Sequence, residues 1–299
     1  MVEPFSRRTS WSDLLPQAQH ACMQVFRQLP KLEHVEVGIC ERVDHPYPTI
    51  TNAFIKRWGR DVITHENPAY VEDTVLNLAW ASGVIAQTIP GNVKSLHLSA
   101  ANLDGLRRLM YDHGRPSISY NPARKLLSVT NLTLDIRGVQ DCHARIDWQA
   151  TESGTYGMVE YWVDTINSLP KLVHLQLNGK FGDTTAGYED LIDCTHNLLL
   201  PSVKRPLQSL SLRNFDVSID TLLSYLPTFK SSLKSLVLDR IVMLECVHEE
   251  EAPWLTLATW VKDHMQGTRI RVDHPYNYKV PVSKSSLNKM SAMGMQVTG

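Results

Sequence analysis

Two short clusters carry the residue types of metal or nucleophile chemistry: Asp141-Cys142-His143 and Asp193-Cys194-Thr195-His196. A structural zinc takes four nitrogen or sulfur ligands, usually supplied in pairs at short spacing. Neither cluster has the second Cys or His that such a set needs, so each reads as a buried thiol beside a surface imidazole. No metal and no cofactor is expected. The signatures GxSxG, GxxxxGK[ST] and HExxH, which build a nucleophile elbow, a phosphate cradle and a zinc-protease helix, are absent from the sequence.

The elements that must position any further chemistry are legible as a recurring pattern of one apolar residue, two variable ones, an apolar residue, one variable one, and an apolar residue. It occurs at Leu32-Val35-Val37, Val93-Leu96-Leu98, Val129-Leu132-Leu134, Leu172-Leu175-Leu177, Leu207-Leu210-Leu212 and Leu233-Leu236-Leu238. A weaker copy, Gly267-Ile270-Val272, has Gly in the leading place. The last two positions obey the period of 2 that sets alternate side chains on one face of a strand. Before the strands lie segments of helical spacing: Ala18, Ala21, Cys22, Val25, Phe26 and Leu29; Met158-Trp162-Ile166-Leu169; Ile219-Leu222-Leu223-Leu226; and Leu257-Val261-Met265. Proline follows several of them, at Leu29-Pro30, Ile89-Pro90, Leu169-Pro170 and Leu226-Pro227, and is expected to stop the helix for want of an amide donor.

A doubly wound α/β sheet would carry continuous Val/Ile runs, whereas these strands alternate apolar with polar. The pattern therefore predicts an α/β fold of the irregular leucine-rich-repeat solenoid type, with helix-strand repeats, a parallel concave sheet and helices on the convex side. Residues 1–276 form the solenoid, with an insertion around 39–70 in the long gap between the first two strands. Residues 277–299 contain Lys279, Lys284 and Lys289, no acid and several Ser, and read as a flexible, weakly basic tail.

This layout places outward side chains on a grid, with strands about 4.8 Å apart and residues about 3.3 Å apart along each strand. Asp135 and His174 fall one strand across and four residues along, roughly 13 Å, too far for the acid to orient a catalytic base. His174 neighbours Ser209, but no carboxylate joins them, so the chain is read as no enzyme. What the grid assembles instead is a polar face with His97, Thr133, Asp135, His174, Gln176, Ser211, Arg213, Asp239, Arg269 and Arg271 as candidate partner-binding residues. Its C-terminal end turns basic through Arg213, Arg269 and Arg271, which suits an acidic or extended segment of a protein partner, since Arg grips a carboxylate through two hydrogen bonds.

Composition narrows the classes. Lys plus Arg number 30 and Asp plus Glu 31, a net charge of −1, so no sequence-wide attraction to nucleic acid or to an acidic membrane is expected. No stretch approaches the roughly 20 apolar residues of a membrane span. Five scattered cysteines without a CxxC pair point to free thiols in a reducing compartment, the cytoplasm or nucleus. One echo stands apart: Arg42-Val43-Asp44-His45-Pro46-Tyr47 recurs as Arg271-Val272-Asp273-His274-Pro275-Tyr276, either as a binding loop or as a shared turn at a strand end.

The run LPKLEHVEVG, with VKSLHLS, VTNLTLDI, LPKLVHLQLNG, LQSLSLRN and LKSLVLDR, resembles the leucine-rich-repeat region of fungal F-box-like proteins over most of residues 15 to 275. In that family an F-box module binds the Skp adaptor of a cullin ubiquitin ligase while the repeats hold the substrate. The resemblance implies a protein-interaction module, the substrate-recognition part of an F-box-type ubiquitin ligase. The sequence before Leu32 has room for one helix and shows no F-box, so the Skp adaptor is implied only if an F-box lies outside this chain. Two alternatives stay open: a scaffold without a ubiquitin link, which adaptor binding would separate, and an enzyme with its active site on the solenoid, which a concave pocket with strongly shifted His or Asp titration would favour.

Overall fold

Eight strands lie side by side in one sheet in the same order in which the chain makes them. The computed structural model describes residues 11–37, 85, 88–98, 126–135, 163, 165–178, 200, 203–243, 253–277 and 280–298. In chain order the strands are β1 (His34–Val37), β2 (Ser95–Leu98), β3 (Asn131–Asp135), β4 (His174–Asn178), β5 (Ser209–Arg213), β6 (Asp216–Val217), β7 (Ser235–Asp239), β8 (Val242–Met243), β9 (Arg269–Asp273), β10 (Tyr276–Asn277), β11 (Val280–Pro281) and β12 (Gln296–Thr298). The main sheet runs β1-β2-β3-β4-β5-β7-β9-β12, and every pair in it is parallel. The chain is thus an α/β protein built on an eight-stranded parallel sheet.

Register follows from the apolar pattern. Leu96 pairs with Leu132, Leu132 with Leu175, Leu175 with Leu210, Leu210 with Leu236, and Leu236 with Ile270. A slip of one residue would turn every one of these leucines to the other face, so the buried row pins the alignment. All of these residues are buried, as are the leading Val93, Val129, Leu172, Leu207 and Leu233 of the same copies. In the copy led by Gly267 the backbone has φ +86, a left-handed conformation that strains any side-chain-bearing residue, which accounts for the missing apolar group.

Each of the last three turns at the strand ends is built alike. Asn214, Arg240 and His274, the residues just after β5, β7 and β9, have φ of 57, 52 and 49. Their amides donate to the carbonyls of Asp239, Asp273 and Thr298 on the neighbouring strand, at 2.9, 2.8 and 2.8 Å. The next residue, Phe215, Ile241 or Pro275, is buried. The chain then enters a second, four-stranded sheet ordered β11-β10-β8-β6.

Among the described residues the helices with defined bounds are α1 (Trp11–Arg27), α2 (Ile219–Phe229), α3 (Pro253–His264) and α4 (Lys284–Ala292). α1 and the helical turn at 165–168 end before Pro30 and Pro170, as the missing amide donor requires. Pro227 differs: it lies inside α2, which continues to Phe229. The cost is small there, because only two residues follow and Leu226 and Phe229 are fully buried on either side of it. Trp254 of α3 is fully buried and donates from Nε1 to the carbonyl of Tyr276 at 3.0 Å, tying the helix to β10.

The expected flexible tail is replaced by an eighth unit. Ser283 caps α4 by accepting from the amide of Ser286, Met290 and Met295 are buried, and β12 pairs with β9 through Val297 opposite Val272. The apolar residues Ala292, Met295 and Val297 have the spacing of the other copies. The expected insertion around 39–70 and the first RVDHPY segment lie outside the described residues. Among the described residues no helix is long and apolar enough to cross a membrane.

Candidate functional site

Because the strands are in register, the residues between the buried leucines form straight rows across the opposite face of the sheet. One row begins His34, Ser95, Asn131, His174 and passes through Ser209 and Ser235 to Arg269. The next begins Glu36, His97, Thr133, Gln176 and passes through Ser211 and Val237 to Arg271. In the third, Asp135 pairs with Asn178, Asn178 with Arg213, Arg213 with Asp239, and Asp239 with Asp273. All ten residues singled out in the sequence lie on these rows. Asp135 stands four positions along from the residue opposite His174, as the grid required.

Local bonding sets which of these groups can address a ligand. At the β1 end His97 Nδ1 lies 3.2 Å from Glu36 Oε1. In the middle Gln176 donates to Asn178 Oδ1 at 2.9 Å. Ser211 sinks below its neighbours, at 8% exposure, with its hydroxyl unpartnered, and Val237 is the one apolar residue in these rows between β2 and β9.

The C-terminal corner is more structured than a row of free arginines. Asp273 is nearly buried; it accepts from Arg271 Nε at 2.6 Å and from Thr298 Oγ1 at 2.6 Å. Burial alone would push the Asp273 carboxyl up, but the bonds from Arg271 and Thr298, with the charges of Arg271 and His274, outweigh it and hold the carboxyl below its ordinary value. The same bond to Asp273 raises the Arg271 guanidinium above its ordinary value. Asp239, largely buried, is shared by Arg240 at 3.5 Å, His274 at 3.6 Å and Arg213 at 3.9 Å. Arg269 is exposed at the other end of β9, away from both carboxylates.

The basic end read from the sequence therefore divides. Arg271 is held by Asp273, Arg213 lies 3.9 Å from Asp239 with its Nε buried and making no hydrogen bond, and Arg269 is exposed. Holding the Arg271 guanidinium through Nε leaves its terminal nitrogens free for a carboxylate. Sequence reasoning missed Arg240 and His274, because each follows a strand at a place where the backbone usually calls for Gly or Asn. The signal was their alignment with Asn214 one residue after the strand.

No set of three His, Cys, Asp or Glu side chains among the described residues could hold a metal ion. The clusters at Cys142 and Cys194 lie outside the described residues. Comparison with known protein families, with characterised proteins and with solved structures returns no match for this chain.

Proposed function

We propose that the chain is an irregular leucine-rich-repeat-like solenoid that works as a non-catalytic recognition module, binding an extended segment of a protein partner across the outward face of the main sheet. The observation that carries the reading is the continuous register of outward rows over seven strands from β1 to β9, polar except at Val237. Six steps of about 4.8 Å make a track about 29 Å long, the reach of an extended segment of about nine residues. Along that track the groups are donors and acceptors of modest size, His97, Thr133, His174 and Gln176, which read a backbone and its polar side chains without demanding one sequence. At its end Arg213, Arg269 and Arg271 favour an acidic terminus on the partner's segment, and Asp273 orients Arg271 at 2.6 Å. Such use fits the F-box-type resemblance, in which repeats of this kind hold the substrate of a ubiquitin ligase.

The test compares the proteins that co-purify with the parent and with a variant carrying His97→Ala, Gln176→Ala and Arg269→Ala. These side chains lie outside the apolar core, so the variant should melt within a few degrees of the parent while losing the partner that the parent retains. Equal recovery of the same partners by both proteins would remove this face from consideration.

A further inference from the structure

Among the described residues, the outer edge of β1 is where the fold is least finished. Of the four large hydrophobic side chains that stand exposed among the described residues, Met23, Val25 and Leu29 are all on or just after α1, and Val25 and Leu29 are 55% and 45% exposed. Ala21, Val25 and Leu29 recur four residues apart and so form one stripe, and all three are exposed. The inward side of the helix is elsewhere: Cys22, which bonds with Thr88 of the neighbouring unit, and Phe26 are half-buried. The far end of the sheet, at β12, exposes no such group.

The strand that follows this helix in the chain is equally unfinished among the described residues. β1 ends the sheet, and no described strand pairs with its outer side. The Glu33 carbonyl accepts from the amide of Ser95, at 3.0 Å, so Glu33 and, two residues on, Val35 direct their backbone groups towards β2. His34 and Glu36 therefore turn their amides and carbonyls to the open edge. A strand with an open edge and an apolar shoulder is a template for another strand.

We infer that a second copy of this chain occupies the edge, with β1 pairing antiparallel to β1 of its partner about a two-fold axis and the α1 stripes packing against each other beneath. The sequence of β1 selects this occupant. Bonded antiparallel pairs must form between residues that face outward, so the registers available set His34 opposite its own copy, Glu36 opposite its own copy, or His34 opposite Glu36 and Glu36 opposite His34. The first two place like groups face to face. The third sets each His34 beside a Glu36 that already reaches His97 of its own chain and has a second oxygen to offer, closes four backbone hydrogen bonds, and sets Val35 opposite Val35. A two-fold operation is also what lets one patch, Ala21-Val25-Leu29, cover itself. The dimer joins the two outward faces into one, so a partner with two matching segments would be held twice.

The experiment is sedimentation equilibrium on the full chain over a range of concentrations. The parent should approach twice its 33.9 kDa mass. Val25→Glu with Leu29→Glu should give monomers whose circular dichroism matches the parent. For the register, His34→Glu alone and Glu36→Lys alone should each weaken dimerisation about tenfold or more, and the two together should restore it, because the double variant puts opposite charges face to face. A parent that stays monomeric at every concentration would overturn the inference and assign the stripe to a cover from within the chain. A dimer that ignores the helix variants, or a double swap that fails to rescue, would also overturn it by moving the contact elsewhere.

Discussion

Replacing Leu210 by Ala tests the buried row at its centre. Leu210 is fully buried, and its register partners Leu175 and Leu236 are buried on both sides. The substitution removes three carbon groups, about 2.4 kcal/mol of transfer free energy at about 0.8 kcal/mol each. The hydrogen-bonded strands on either side cannot close in, so most of the vacated volume remains; a cavity of about 60 Å³ adds about 1.4 kcal/mol. The sum is about 4 kcal/mol. A chain of this size has an unfolding entropy of about 0.6 kcal/mol/K if it melts as one unit, so Tm should drop by about 6–7 °C. Calorimetry, with urea unfolding followed by tryptophan fluorescence, reads both quantities. The neighbouring Ser209→Ala, on the outward face, should change stability by no more than about 0.5 kcal/mol. If Leu210→Ala melted within a degree of the parent, or Ser209→Ala cost as much as Leu210→Ala, the assignment of faces would be wrong.

Three further outcomes are expected. Because the Asp273 carboxyl is held below its ordinary value, the stability it contributes is present above about pH 4 and is lost as pH falls through its lowered folded value; urea unfolding of Asp273→Asn should show lower stability at pH 7 and a shallower loss on acidification than the parent, and parallel curves would refute the assignment. Deleting residues 280–298 removes the buried Met290 and Met295 and bares β9, so the shortened chain should melt well below the parent; an unchanged Tm would restore the reading of this segment as a loose tail. Ser218 caps α2 by accepting from the amide of Thr221 at 3.1 Å, and Ser218→Ala should cost about 1 kcal/mol in urea unfolding.

The strands and their order were legible because the spacing of Leu32-Val35-Val37 and its copies states both the period and the buried face. The rows of the outward face came with them, since every residue between two inward leucines must point the other way. The eighth unit escaped because Ala292, Met295 and Val297 fill the pattern with a small residue and a flexible one, and α4 before them is polar except at Leu287, Met290 and the alanine itself. β6, β8 and β10 are two residues long, too short for any periodicity. The corner around Asp239 depends on Arg240 and His274 adopting left-handed backbone, which Arg does not signal and His signals weakly; their amides are tied to the carbonyls of Asp273 and Thr298. The second RVDHPY copy resolves into strand end and turn, with Asp273 serving Arg271 and Thr298 within the fold.

The central claim is that the outward face of the main sheet holds a protein partner, and site-specific photo-crosslinking addresses it most directly. A photoreactive residue is placed at Thr133 or Gln176 on that face, and at Lys262, exposed on α3 in the helical layer. The account predicts that Thr133 and Gln176 capture one and the same protein, identified by mass spectrometry, while Lys262 captures none of it. Capture of that protein from Lys262 alone, or no adduct from either strand position, would contradict it.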